Sequence, residues 1–416
     1  MVKKIISTKV PLWFVVLILL ILTGGVISGV IGSFKPPDNY NIFLDNGNSD
    51  LSQMKIRFYD KGVIVKEAPI ITKGRKGSWW ETPTGIYKIE NKEESHFSSI
   101  GKVYQPWSLT FQGNFFIHGW PYYQDGKEVS SSYSGGCIRL KTEDAKALYE
   151  LASAGTPVLV SGKDFESDNF NPRLKMAEIS AESYLVADLK SNFVFMEKNK
   201  GEKLAIASLT KLMTAVVAAE YVNLDKQIEI TSSMIAQTSK PRLRVGDNVS
   251  AFNLLYPLLL ESSNEAAIAL SRPLGPIRFV ELMDYKANAL GMADTSFADP
   301  TGSSGGNVST AEDLFNFARY LYHNRSFILN LTTGMLNKTA YGAPVWNNLE
   351  NFNIFGDNPD FIGGKVGKNT AAKETMLAIF NLEIDGETRP IVIIILGADD
   401  VGGGVGKVLA YLKNRY

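Results

Sequence analysis

The hydrophobic pattern divides the chain before any motif is considered. Val10 to Phe34 is an uncharged run rich in Leu, Ile, Val and Phe, preceded by Lys3, Lys4 and Lys9. At about 1.5 Å rise per residue, such a run crosses a hydrocarbon core of about 30 Å. The lysines predict a cytoplasmic tail over 1–9, an anchor over 10–34 and an extracytoplasmic remainder. A cleaved signal peptide would have a shorter apolar core, about 7–15 residues, with a small-residue site after it. Residues 35–52 are rich in Pro, Asn, Asp and Gly, and read as a spacer off the membrane.

From Gln53 the period becomes two. Met54-Lys55-Ile56-Arg57-Phe58-Tyr59 alternates, and further short strands are expected over Val63–Thr72, Ile86–Ile89, Trp107–Phe111 and Asn114–His118. One helix is expected after Leu140, with Thr142 as its N-cap, acids in its first turn and Gly155 as its stop. Pro157-Val158-Leu159-Val160 closes a mostly-β domain over 53–162. Polar residues 163–177, broken by Pro172, suit a linker. Residues 178–416 then mix periods. Helices are expected over Ser208–Tyr221, Phe252–Leu260, Glu265–Leu270 and Thr310–Tyr322, with apolar strands at Met376–Leu382 and Pro390–Leu396. Strands at both ends with helices between them make an α+β domain.

Composition narrows the chemistry. The 43 Lys+Arg balance the 43 Asp+Glu, which argues against a nucleic-acid partner. Three histidines without a paired-cysteine or His-Glu-x-x-His pattern predict no metal site. Gly402-Gly403-Gly404-Val405-Gly406-Lys407 echoes a phosphate loop, but Val408 stands where a Mg²⁺-binding hydroxyl belongs. It reads as a turn, and no cofactor is expected. His96 is expected in a polar loop and His323 at a helix end. The 416 residues hold one cysteine, Cys137, which cannot form an internal disulfide.

A cysteine attacks carbonyls as thiolate and needs a base or a positive field. His118 ends an apolar strand and can supply the base. Ser134-Gly135-Gly136 allows close backbone approach and can present N–H groups to an oxyanion. Arg139 can favour the thiolate or hold a carboxylate. On these residues alone, an inert buried cysteine explains the pattern at least as well. In the second half, Ser208-Leu209-Thr210-Lys211 places a hydroxyl and an amine one helical turn apart. Lys211 becomes a base only if desolvation or a second cation, for which Lys365 is available, lowers its pKa. Alone, this spacing is common by chance. Ser262-Ser263-Asn264 and Lys365-Val366-Gly367 add the other two parts of a Ser-Lys acyl-transfer site in the right order.

Residues 54–160 resemble the L,D-transpeptidase catalytic domain, or YkuD domain. The likeness rests on His118-Gly119, Ser134-Gly135-Gly136-Cys137-Ile138-Arg139, Thr82-Pro83-Thr84-Gly85 and Gly155-Thr156-Pro157-Val158. It implies Cys137 as nucleophile, His118 as base, and Ser134, Gly135, Gly136 and Arg139 in substrate and oxyanion binding. Gly135 departs from the family, which has His there. Residues 178–416 are similar to the serine D,D-carboxypeptidases, the low-molecular-weight penicillin-binding proteins, whose fold is α+β and β-lactamase-like. The likeness runs from Lys203 to Ala215 and through Val245-Gly246-Asp247, Leu290-Gly291-Met292 and Phe297-Ala298-Asp299-Pro300-Thr301-Gly302. It implies Ser208 as nucleophile, Lys211 as proton acceptor, Ser262 as shuttle, and Asn264, Lys365 and Gly367 in substrate binding. Val366 departs from it, standing where the family has a hydroxyl residue. Together the resemblances imply a membrane-anchored enzyme of peptidoglycan stem peptides, with β-lactams as covalent inhibitors.

Overall fold

A computed structural model describes residues 42–45, 54–60, 63–131, 134–162, 179–335 and 344–415. The expected tail, anchor and linker 163–177 lie outside these residues. Among the described residues no helix is long and apolar enough to cross a membrane.

Two sheets enclose the first core. Strands β1 (Ile42–Asp45), β2 (Lys55–Asp60), β3 (Val63–Pro69), β4 (Gly85–Lys88) and β9 (Pro157–Ser161) form one, in the order β3-β2-β1-β9-β4. Strands β5 (Asn91–Ser98), β6 (Val103–Gln112), β7 (Phe115–His118) and β8 (Ile138–Arg139) form the other, in chain order. The alternation of β2 sends Ile56 and Phe58 inward, where they join Leu109, Phe111, Ile117 and Ile138. Residues 42–45 fall within the spacer that the sequence predicts. They instead form β1, antiparallel to β2 and parallel to β9, because three successive apolar residues suffice for a short inner strand. Helix α1 (Thr142–Leu151) is capped by Lys141 without a side-chain bond, so Thr142 is not the expected N-cap. Its hydroxyl accepts instead from the Trp120 N–H.

In the second half, β10 (Ser183–Asp188), β11 (Val194–Lys198), β16 (Phe361–Asn369), β17 (Lys373–Ile384) and β18 (Glu387–Ala398) form an antiparallel sheet, ordered β11-β10-β18-β17-β16. Two ribbons flank it: β12 (Leu204–Ala205) with β15 (Val308–Ser309), and β13 (Gln227–Glu229) with β14 (Asn248–Ser250). Helices α2 (Thr210–Tyr221), α3 (Ala251–Leu260), α4 (Asn264–Ser271), α5 (Pro276–Ala289), α6 (Ala311–Asn324) and α7 (Ser326–Thr332) build the core on one face. Helix α8 (Val401–Arg415) covers the other. The glycine run read as a turn lies inside α8. Asp400 accepts from the Gly403 N–H, and Val405, Val408, Leu409 and Leu412 supply an apolar stripe. Helix α2 is buried along nearly its whole length, as its Ala and Val content allows.

The described residues of both halves belong to one compact unit. A buried charge cluster joins them. Glu220, in the last turn of α2, pairs with Lys286 at 3.0 Å and Arg325 at 3.0 Å, and accepts from Tyr320. From the first half, Gln112 donates to the same carboxylate at 2.7 Å. Lys286 also reaches the Tyr87 hydroxyl at 2.8 Å. Attraction to two cations and these hydrogen bonds answer the desolvation of each charge.

Candidate functional sites

The thiol and imidazole are brought together by β7 and β8. These strands run parallel with Ile117 opposite Ile138 and His118 opposite Arg139. Cys137, directly before β8, therefore faces the end of β7. Both His118 and Cys137 line one cavity of about 400 Å³, with Gln105, Gly135 and Arg139. Access is narrow: the cysteine is 6% exposed and the histidine 1%. The sulfur has polar neighbours, with the Gln105 amide 3.9 Å away and the Asn114 carbonyl 3.8 Å away. It is not walled into apolar packing.

No hydrogen bond joins imidazole to thiol among the described residues. His118 Nδ1 is instead 2.6 Å from the Gly119 carbonyl. A carbonyl only accepts, so Nδ1 carries the proton and Nε2 keeps its lone pair. Burial lowers the imidazole pKa to about 3, the Gly119 bond opposing it. Burial likewise raises the thiol to about 11, against the Phe116 backbone bond and the Arg139 charge. The free site thus holds a neutral thiol and a neutral imidazole in one cavity.

The turn before Cys137 is tightly built. Ser134, 2% exposed, donates to the Cys137 carbonyl and accepts from the Gly136 N–H. This differs from the expected substrate contact, since the hydroxyl is occupied inside the turn. The Gly136 N–H, expected to face an oxyanion, is occupied by the same hydroxyl. Gly136 has φ +105°, and a Cβ there would lie 2.3 Å from the Phe115 ring. Only glycine fits. At Gly135 a Cβ would meet nothing within 4 Å, so no steric reason excludes a side chain where the family has His. Thr82 donates to the Gly136 carbonyl at 2.7 Å and accepts from the Gly74 N–H at 2.9 Å. Arg139 is mostly buried, donates to the Ser131 carbonyl and lies over the Trp120 ring. Its Nε is buried without a partner. The sequence does not single out Gln105 and Asn114 at the sulfur or Thr82 behind its turn; of these only Thr82 stands in a motif that the sequence displays.

The serine site forms where the start of α2 meets β16. Ser208 precedes α2, and Lys211 Nζ lies 3.2 Å from its Oγ. The amine also donates to Asn264 Oδ1 at 2.9 Å and to the Thr301 carbonyl. Burial, then the Lys365 charge, lowers Lys211 to about 7. Lys365, wholly buried, is lowered to about 7 by burial and donates to the Val366 carbonyl. The second cation expected from the sequence is therefore in place. Ser262 has φ +58° and a buried hydroxyl without a partner. It lines a cleft of about 1090 Å³ with Ser208, Asn264, Lys365, Val366 and Gly367. A Cβ on Gly367 would lie 2.8 Å from the Ser208 N, so glycine permits the approach of β16. Asp299 gathers the N–H groups of Thr301, Gly302 and Ser304, and so aims the Thr301 carbonyl at Lys211. His96 lies in β5, not a loop, and stacks on Phe116 beside the thiol cavity. Among the described residues no group of three His, Cys, Asp or Glu is arranged to hold a metal.

Comparison with known proteins relates each half of the chain to a family. The D-alanyl-D-alanine endopeptidase of Pseudomonas aeruginosa is 39% identical over 160 residues, covering 36% of this chain and 50% of that protein. The endopeptidase of the same name from Escherichia coli is 29% identical over 233 residues, 53% of this chain and 72% of that protein. The chain thus spans about half the length of the first of these. A D-alanyl-D-alanine carboxypeptidase structure from Mycobacterium tuberculosis superposes with a TM-score of 0.50 at 26% identity, over 57% of this chain and 92% of that one. The D-alanyl-D-alanine carboxypeptidase family matches residues 170–399 and the L,D-transpeptidase catalytic domain matches residues 48–160. The chain therefore belongs to the D-alanyl-D-alanine carboxypeptidase family and carries an L,D-transpeptidase catalytic domain ahead of that region.

Proposed function

We propose that this chain is a two-site peptidoglycan enzyme, held at the membrane by residues 10–34, with both clefts outside the cell. The carrying observation is that one compact unit contains two clefts, one lined by Cys137 and His118 and the other by Ser208 with Lys211 Nζ 3.2 Å from its hydroxyl. At the serine site, Lys211 takes the Ser208 proton as Oγ attacks the carbonyl of the penultimate D-alanine. The bond to the terminal residue breaks, its amine leaves with a proton returned through Ser262, and water releases the acyl group. At the thiol site, Cys137 gives its proton to His118 Nε2 and attacks the carbonyl preceding the terminal D-alanine of a tetrapeptide. D-alanine leaves with that proton, and an amine of a neighbouring stem displaces the thiolate to form an L,D cross-link. One site makes the other's donor, and confinement in one unit raises its local concentration.

Val366 supports a second reading for the serine site. With no hydroxyl there to bond a terminal carboxylate, a cross-linked substrate lacking that carboxylate suits the cleft. The endopeptidase names of two relatives point the same way. The test is incubation of the full chain in detergent with disaccharide-pentapeptide and with D,D-cross-linked dimer, measuring free D-alanine, monomers and new dimers. Release of D-alanine with L,D dimers supports the first reading; resolution of the dimer alone supports the second. Absence of all products overturns both. Val366→Thr is expected to raise pentapeptide trimming roughly tenfold to a hundredfold by restoring one bond to a charged group.

A further inference from the structure

The thiol cleft is not built from the first half alone. Ala219, in the last turn of α2, lines it together with Cys137 and His118. Helix α2 thus has Lys211 in its first turn, with Ser208 just before it, and part of the thiol cleft at its end. The adjoining backbone fixes this placement: the Asn114 N–H donates to the Glu220 carbonyl at 3.2 Å. A Cβ on Gly113 would sit 2.6 Å from that same carbonyl, so the two halves meet without room for a side chain.

A second connection reaches the turn before the sulfur. Arg325 donates to the Glu81 carbonyl at 2.8 Å. Asn324 donates to the Thr82 carbonyl at 3.0 Å and accepts from the Thr84 N–H at 3.1 Å. Thr82 in turn holds the Gly136 carbonyl. We propose that the thiol cleft is a two-domain site: Ala219 walls the space for the donor peptide, and Asn324 and Arg325 are positioning residues for the turn that carries Cys137. This rests on the reading of Cys137 as the nucleophile.

Full-length variants test it, with fluorescent-penicillin labelling of Ser208 as the internal control. The thiol reaction is followed as D-alanine release from a stem tetrapeptide, and access to Cys137 by its rate with an aromatic disulfide reagent. Ala219→Leu is expected to raise the thiol KM and slow the reagent roughly tenfold, as added bulk does in a fitted pocket. Ser208 labelling stays unchanged. Asn324→Ala is expected to lower thiol kcat roughly tenfold to a hundredfold with KM retained, the signature of a misplaced nucleophile. If the leucine also lowers penicillin labelling, Ala219→Val replaces it. Unchanged thiol KM and reagent rate in the Ala219 variants, or equal losses at both sites in Asn324→Ala, overturn the proposal. A wild-type chain without D-alanine release, whose Cys137 is nonetheless slowed by Ala219→Leu, sinks the functional reading and leaves the wall standing.

Discussion

Lys211 Nζ lies 3.2 Å from Ser208 Oγ, with Asn264 Oδ1 and the Thr301 carbonyl taking its other hydrogens. All three partners accept, so the fold orients the amine well as an ammonium. Two effects oppose that charge: burial first, then the neighbouring Lys365. The result is an amine balanced near neutrality, the range that most favours a general base at pH 7.

That balance predicts a pH profile. With Lys211 at about 7, acylation of Ser208 by penicillin should rise about tenfold per pH unit below that value and level off above it. Lys365→Met removes the cation that disfavours protonation of Lys211, so the rising limb should move to higher pH. Lowered maximal labelling is also expected because Lys365 lines the cleft. The position of the limb is the readout, measured by stopped-flow with a fluorescent penicillin. A limb that stays in place removes Lys365 from the account of the base.

The two glycines before Cys137 should behave oppositely. Gly136→Ala combines a left-handed φ with a 2.3 Å approach to Phe115, so the turn must move. A shift of about 1 Å there is expected to lower the thiol rate on the order of a hundredfold. Gly135→Ala, with open space ahead of its Cβ, should leave the rate within about threefold, inside the usual range for an unstrained surface change. D-alanine release from a stem tetrapeptide compares them, with Ser208 labelling reporting the fold of each variant.

Much of this architecture was legible because function and local geometry share short motifs. Ser208 and Lys211 meet through helical spacing, and Cys137 shares a cavity with His118 through strand pairing that the alternation foreshadowed. Other parts were hidden for physical reasons. Residues 42–45 are too short to show a period, and their pairing with β9 spans more than a hundred residues. Helix α8 was concealed by its four glycines, since its stability comes from an apolar stripe on the sheet rather than from propensity. The interdomain carboxylate of Glu220 carries no local signal of its own. Nothing near position 220 announces Arg325 or Gln112, which reach it across 105 and 108 residues.

That carboxylate gives a stability prediction. Glu220→Gln preserves the shape but leaves Lys286 and Arg325 buried side by side without a counter-charge. Breaking a buried pair this way costs about 3–5 kcal/mol. Burial alone would raise the Glu220 pKa, but attraction to Lys286 and Arg325 wins and the pKa is lowered. Its stabilising contribution is therefore present above the unfolded carboxylate pKa and is lost as pH falls through the lower folded one. The gap in unfolding free energy between wild type and Glu220→Gln should hold at neutral pH and close only in acid. Denaturant titrations at several pH values test this, and equal stability at pH 7 would contradict the assigned role.

The thiol makes the last prediction. A thiol raised to about 11 beside an imidazole lowered to about 3 leaves both groups neutral at pH 7. Relative to a thiol at the ordinary value of 9.0, the thiolate fraction falls roughly a hundredfold. Iodoacetamide, which needs the thiolate but no acyl group, should therefore modify Cys137 about a hundred times more slowly than a free cysteine peptide at pH 7.5. The rate should climb with hydroxide until about pH 11, without a step near the ordinary histidine pKa. His118→Ala should hardly change this alkylation, because the imidazole does not charge the resting thiol. It should nearly abolish D-alanine release from a stem tetrapeptide, where Nε2 must accept the proton as sulfur bonds to carbon. Fast alkylation near pH 7 that disappears in His118→Ala would instead mean a preformed thiolate–imidazolium pair, and would refute a neutral resting site.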